Sequence, residues 1–259
     1  MIGAQHMRKT PTRSQTVQLS LAAVFTALVF VATTVFSVYV PQTRGFFNIG
    51  EIMVLATALL LGPLVGAFAG GVGSMLADLF LGYWYYAPAT LVIKACEGEV
   101  VGLLARRKLA RLTKTQWRIF TFLTGLIIGL LLAGIGSVYY SGQVELYLGF
   151  PPASTPSLVL DVPKEIWYVI GAVVLLILAF SGFVFEPEFG WLTFTVLTGG
   201  LIMVAGYFLY QQFIIGPLFG ISVLALAEIP INIGQMLVGL VVSIPLVKTI
   251  WRSMPSLKA

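Results

Sequence analysis

Five ionisable residues interrupt otherwise apolar stretches of this chain: Asp78, Lys94, Glu97, Glu99 and Glu228. A charge in apolar surroundings is costly unless it is paired, hydrogen-bonded or used. Lys94 and Glu97 stand three residues apart and share a helix face. Glu228, Asn232 and Gln235, at spacings of four and three, line another. Glu99 points about 200° away from Glu97 on a helical wheel and reads as structural. Carboxylates, amides and one ammonium group can hold a small polar solute, act as paired acid and base, or neutralise each other. An internal Asp78–Lys94 ion pair that only fixes helix packing is the plainest form of the last. Other chemistries lack their residues. His6 is the only histidine and Cys96 the only cysteine, so no His-based metal site, Ser-His-Asp constellation or disulfide can form within the chain. No G-x-x-x-x-G-K-[ST], H-E-x-x-H or G-x-S-x-G motif occurs, which leaves no P-loop for ATP.

The elements that position these residues are set by composition. Of 259 residues, 58% are hydrophobic and only 10% charged, and the mean hydropathy is +0.97. A folded soluble surface needs more charge than that. Soluble globular, disordered and nucleic-acid-binding readings are excluded together, and a polytopic membrane protein remains. The uncharged run Thr16–Gln42 is too long for a cleavable signal core of about 7–15 residues and reads as a retained helix near Val17–Val40. Pro41–Gly50 reads as a loop. Further helices are expected near Ile49–Leu61, Leu64–Tyr83, Pro88–Ala105, Ile119–Val138, Ile166–Val184, Trp191–Tyr210 and Leu218–Val247. Gly62-Pro63 separates the second from the third, because proline breaks a helix interior. Tyr139–Glu165, with four prolines, reads as an irregular connection.

Charge placement sets the topology. Twelve of the fifteen basic residues fall in the N-terminal tail, in Arg106–Arg118 and in the C-terminal tail. The positive-inside rule places all three in the cytoplasm. That requires two crossings between Ile49 and Tyr83, eight in all, and both termini inside. Counting about 1.5 Å per residue from the outer helix ends puts Asp78 and Lys94 about 8–9 Å deep, and Glu97 and Glu228 about 14–15 Å deep. A convergent polar patch in the outer half of the bundle follows. Phe46, Phe47, Asn48, Tyr83, Trp84, Tyr85 and Tyr86 crowd the outer loops, as an interfacial belt or as a lid and stacking wall for a flat molecule.

Small residues recur at spacing four. Gly66, Gly70 and Ser74, and Ala69, Gly73 and Ala77, let helix backbones approach in lipid and read first as internal packing. Ala23 and Ala27, with Ala22 beside them, carry the same pattern in the cytoplasmic half of the first helix.

The ordered set Phe47-Asn48-Ile49-Gly50-Glu51, Leu61–Ala67, Gly70–Asp78 and Tyr86–Leu91, with Gly206–Tyr210 and Ala227–Gln235 near the end, resembles the substrate-binding S component of an energy-coupling-factor (ECF) transporter. The resemblance covers about Leu19–Arg107 and Trp191–Val247. It implies a six-helix fold that captures a vitamin or its precursor from outside, without a cofactor, in partnership with a transmembrane coupling protein and two cytoplasmic ATPases. The family's small A-x-x-x-A motif, which meets the coupling protein, matches Ala23 and Ala27. The chain departs from the family by an insertion, about Arg111–Gly190, that holds two extra helices.

The expectation is therefore an all-α polytopic membrane protein in a prokaryotic plasma membrane, a single membrane domain. A six-helix core (17–107 and 191–250) carries an inserted helical hairpin (about 111–190). The expected solute contacts are Asn48, Tyr85, Lys94, Glu97, Tyr207, Glu228, Asn232 and Gln235; the expected partner contacts are Ala23 and Ala27. The rival readings are an intramembrane enzyme using Asp78, Glu97 and Glu228, and a non-transport assembly subunit.

Overall fold

A computed structural model describes residues 15–107, 113–148, 155–185 and 187–254. His6, Arg8, Lys9, Arg13, Lys108, Arg111 and Lys258 lie outside the described residues. Eight helices form where apolar runs lead one to expect them: α1 (Gln15–Val35), α2 (Glu51–Leu61), α3 (Pro63–Leu81), α4 (Ala87–Arg106), α5 (Lys114–Leu131), α6 (Lys164–Val184), α7 (Pro187–Tyr210) and α8 (Ala225–Ser253). A π-helical turn, Leu132–Gly136, carries α5 on to Tyr139, and a second, Gln211–Ile215, carries α7 on to Phe219. Among the described residues, six segments are long and apolar enough to cross a membrane: those of α1, α3, α5 (to Tyr139), α6, α7 (to Phe219) and α8. At 11 residues α2 is short, about 16 Å. α4 is long enough but carries Lys94, Glu97 and Glu99.

Three boundaries differ from the sequence expectation. The first helix stops at Val35, not Val40. The β-branched and aromatic run Ser37–Val40 instead forms strand β1, which pairs antiparallel with β2 (Gly45–Asn48), as β-favouring side chains on a pleated surface do. The Tyr139–Glu165 connection is not irregular. It contains β3 (Gly142–Leu148) and β4 (Leu158–Val162), paired from Gly142–Val162 to Leu146–Leu158. The two hairpins join through β1 and β3 into one sheet of order β2-β1-β3-β4, so the fold is mostly helical rather than purely so. The last helix begins at Ala225, not Leu218. The Gly216–Phe219 turn belongs to the preceding segment and ends at Gly220 in the left-handed region.

Close helix contacts explain how the interior is held. Gly62, at φ +84°, reverses the chain between α2 and α3, and Pro63 opens α3 where its missing N–H costs nothing. The α3 glycines face α2 and α4 at backbone distance: a Cβ on Gly66 would sit 2.9 Å from the Gly98 carbonyl oxygen, and one on Gly70 3.0 Å from that of Lys94. Gly73 meets α1 at Thr26 and Val29. The small-residue ladders of α3 thus serve packing within the chain. Arg106 Nη2 donates to the Leu61 carbonyl at 2.7 Å, satisfying a free acceptor at the end of α2. α5 opens on a Thr113–Gln116 capping box. It packs on α6 through Gly125, Gly129 and Gly171, so the two form a paired helical arm.

The molecule has two distinct ends. At one, Arg106 caps α2, and Trp191 Nε1 on α7 donates to the Leu104 carbonyl on α4. At the other, the sheet, the Tyr83–Tyr86 turn and the α7–α8 connection meet. Phe46 stacks on Tyr83 at 4.7 Å, and Leu224 N–H donates to the Gln42 carbonyl.

Candidate functional site

Beneath the sheet, α2, α3, α4, α7 and α8 enclose a polar cavity. Asn48, Glu51, Asp78, Thr90, Lys94, Tyr207, Glu228, Asn232 and Gln235 line it, with Thr33, Phe46, Ser74, Tyr86 and the backbone of Gly45 and Gly50. The helices reach it because glycine lets them: Gly66 and Gly70 bring α3 against both α2, at Ala58 and Val54, and α4, at Gly98 and Lys94, so α2 and α4 lie side by side and Glu51 is within reach of the Lys94 ammonium.

Lys94 lies at the centre. Its Nζ donates to Glu97 Oε2 at 2.9 Å and makes an ion pair with Glu51 Oε2. Lys94 is 5% exposed, Glu51 1% and Glu97 0%, so both pairs are shielded from water. The Asp78–Lys94 ion pair of the packing alternative is not the one formed. Asp78, on α3, instead faces the Thr90 hydroxyl, which in turn accepts from Tyr207 Oη at 3.0 Å. Glu228 faces Thr43 and Gln211. Because α8 starts at Ala225, Glu228 lies in its first turn, about 5 Å along the helix rather than near its middle.

The amide side is built by β2 and α8. Asn48 Nδ2 donates to Gln235 Oε1 at 3.3 Å, and Asn48 Oδ1 accepts from Gly50 N–H at 2.9 Å. Strand alternation sorts β2. Phe46 and Asn48 face the polar cavity, whereas Phe47 faces a second, larger void of about 440 Å³ under the sheet. That void is walled by Val38, Val40, Trp167, Ile231 and other apolar side chains, with only Gln42 and Glu145 charged or amide-bearing. It lacks the convergent polar groups that orient a solute. The polar cavity holds about 40 Å³, room for a few waters and far below the ~300 Å³ of a small-molecule site. Admitting a vitamin-sized solute therefore requires the sheet and lining side chains to move apart.

Of the residues expected from sequence, Asn48, Lys94, Tyr207, Glu228, Asn232 and Gln235 line one cavity. Glu97 stands behind Lys94 as its partner. Tyr85 does not reach the cavity. It ties the cap together, donating from Oη to the Arg44 carbonyl at 2.6 Å and accepting at its own carbonyl from Tyr210 Oη. Burial, with Tyr39 beside it, pushes the Tyr85 phenol up to about 12. Asp78, which its depth beside Lys94 already placed in the patch, lines the cavity too, whereas spacing alone does not reach Glu51 or Thr90. Glu51 occupies a helix first turn, where an acid reads as complementing the helix dipole. Asp78 and Thr90 meet only because α3 and α4 touch. Glu99 is exposed, facing away from Glu97 as its helical angle requires. Ala23 and Ala27 are exposed on α1, to one side of the buried Thr26, Val29 and Thr33.

The chain is thus a multi-pass membrane protein with a polar cavity beneath its sheet. Residues 13–182 match the family described as ECF-type riboflavin transporter, S component; the chain belongs to this family, whose members are transport subunits and not enzymes. A protein of Pyrococcus woesei, described as an uncharacterized protein in gap 3′region, is 49% identical over 78 residues, 30% of this chain and 52% of its own length. The chain thus spans about half of that relative. The thiamine precursor transporter HmpT of Lactococcus lactis subsp. cremoris is 28% identical over 145 residues, covering 51% of this chain and 81% of HmpT.

Proposed function

We propose that this protein is the substrate-capture subunit of an ECF-type, ATP-driven importer in a prokaryotic plasma membrane. It takes a vitamin or vitamin precursor from outside into the cavity lined by Asn48, Lys94, Glu228, Asn232 and Gln235. The observation that carries this reading is the enclosed polar cavity, within a chain of this family, at the end opposite the basic helix termini Arg106, Arg107, Lys114 and Arg252. The chain contains no P-loop, so energy comes from partners: a transmembrane coupling protein and two cytoplasmic ATPases. The exposed pair Ala23 and Ala27 suits docking to the coupling protein, because small side chains permit close helix approach in lipid. The α5–α6 arm, which falls within the segment 111–190, is an addition to the six-helix core and leaves the cavity's own helices in place.

Native mass spectrometry of the protein purified in mild detergent tests the capture step, and uptake in cells supplying the coupling proteins tests transport. A copurifying vitamin-class molecule and uptake that depends on the ATPases are expected. Absence of both a bound vitamin-class molecule and ATPase-dependent uptake overturns the reading.

A further inference from the structure

The charge balance of the cavity names the chemistry of its occupant. Four carboxylates, Glu51, Asp78, Glu97 and Glu228, meet a single ammonium, Lys94, and each is at most 5% exposed. Lys94 is already committed to Glu51 and Glu97 and acts on Asp78 only through space; among the described residues no second cation lines the cavity. The neighbours of Asp78 and Glu228 are hydroxyls and an amide: Thr90 at Asp78, and Thr43 and Gln211 at Glu228. Arg44, in the cap above, is exposed and does not line the cavity. Asp78 Oδ2 and Glu228 Oε2 are buried without a hydrogen-bond partner, as are Glu51 Oε1 and Glu97 Oε1 behind them, and so are two amide donors, Asn232 Nδ2 and Gln211 Nε2. Unpaired buried acceptors cost several kcal/mol by transfer measures and call for donors. No group of three or more acidic, His or Cys side chains among the described residues is arranged to hold a metal ion, which disfavours a metal as the missing cation. Tyr86 and Tyr207 also line the cavity, in edge-to-face contact with centroids 6.3 Å apart, and an aromatic wall suits a delocalised cation.

We infer that the solute taken by this cavity is a flat, cationic amino-heterocycle, whose N–H donors meet Asp78 and Glu228 and whose ring acceptor meets Asn232. This rests on the reading of the cavity as the solute site. It follows that anionic forms, such as phosphate esters or carboxylates, are rejected, because the three Lys94 N–H groups are taken by Glu51, Glu97 and the Met203 sulfur.

Binding to the purified full chain is measured by titration calorimetry with three probes: thiamine, which joins an aminopyrimidine to a cationic ring; riboflavin, which is neutral; and nicotinate, an anion. Thiamine is expected to bind at least tenfold more tightly than either of the others. Asp78→Asn and Glu228→Gln, which keep shape and remove charge, are each expected to lose at least tenfold in thiamine affinity with thermal unfolding unchanged or raised. Preference for riboflavin or nicotinate, or unchanged thiamine affinity in both variants, overturns the inference while leaving vitamin capture standing. Sodium-dependent riboflavin binding overturns it as well, by assigning the cation to the ion. If none of the three binds, the copurified molecule decides: a neutral or anionic one overturns the inference. Absence of any vitamin-class ligand together with absence of uptake overturns the underlying reading itself.

Discussion

Replacing Lys94 by methionine should be among the most destabilising single changes in this protein. The substitution keeps the unbranched apolar stem and removes the ammonium that joins Glu51 and Glu97. Both carboxylates are then left with no counter-charge, at 1% and 0% exposure. Removing one member of a buried ion pair costs about 3–5 kcal/mol, because the remaining charge is uncompensated. At about 2–4 °C per kcal/mol for chains near this size, the melting temperature should fall by on the order of 10 °C. The control is the neutral triple variant Lys94→Met with Glu51→Gln and Glu97→Gln. Its amides can hydrogen-bond each other, so most of the lost stability should return, as when other buried ion pairs are replaced by neutral groups. Thermal unfolding in one detergent, followed by intrinsic tryptophan fluorescence, reads both variants. A Lys94→Met protein as stable as the parent would refute the buried triad. A triple variant no better than the single would refute the charge argument and point to lost packing.

Asn232→Leu and Gln235→Leu should each weaken solute binding by about 1–3 kcal/mol, the cost of an unpaired polar group, with folding intact; unchanged affinity in both would remove the amide side from the site. Ala23→Trp or Ala27→Trp should abolish uptake while binding survives, since both face outward from α1; joint loss of uptake and binding would make them internal packing residues. In a Cys96-free background, a cysteine at Thr155 should react with a membrane-impermeant reagent in intact cells and one at Thr113 should not; the opposite pattern would invert the topology. Tyr85, raised to about 12, should ionise late. Its free phenol would titrate near 10, so the stability it contributes is complete below about 10 and is lost as pH rises towards 12. Absorbance titration of Tyr85→Phe against the parent should lose a late component, and loss of an ordinary component instead would contradict its burial.

Hydropathy and charge, which are local properties, were enough to define most of this protein. Each of the eight runs read as a membrane helix is helical over most of its length, because in lipid a helix satisfies its own backbone without help from distant residues. Gly62-Pro63 marked the α2–α3 break, and the spacing of Glu228, Asn232 and Gln235 placed them on one face of α8. The ordered motifs carried the family. Strands were less legible. Val38-Tyr39-Val40 extends an apolar run that already reads as helix, and its conversion to β1 depends on partners at Phe46–Asn48 and Tyr147–Leu148, distant in sequence. The ion pairing was beyond sequence altogether. Asp78 and Glu51 are both carboxylates within a turn of a helix end. The tertiary structure gives Lys94 to Glu51 and leaves Asp78 to Thr90, because the glycine contacts of α3 with both α2 and α4 set which carboxylate lies at the lysine's head. Which groups are charged is written in the residues; which of them meet is decided by how closely the helices pack.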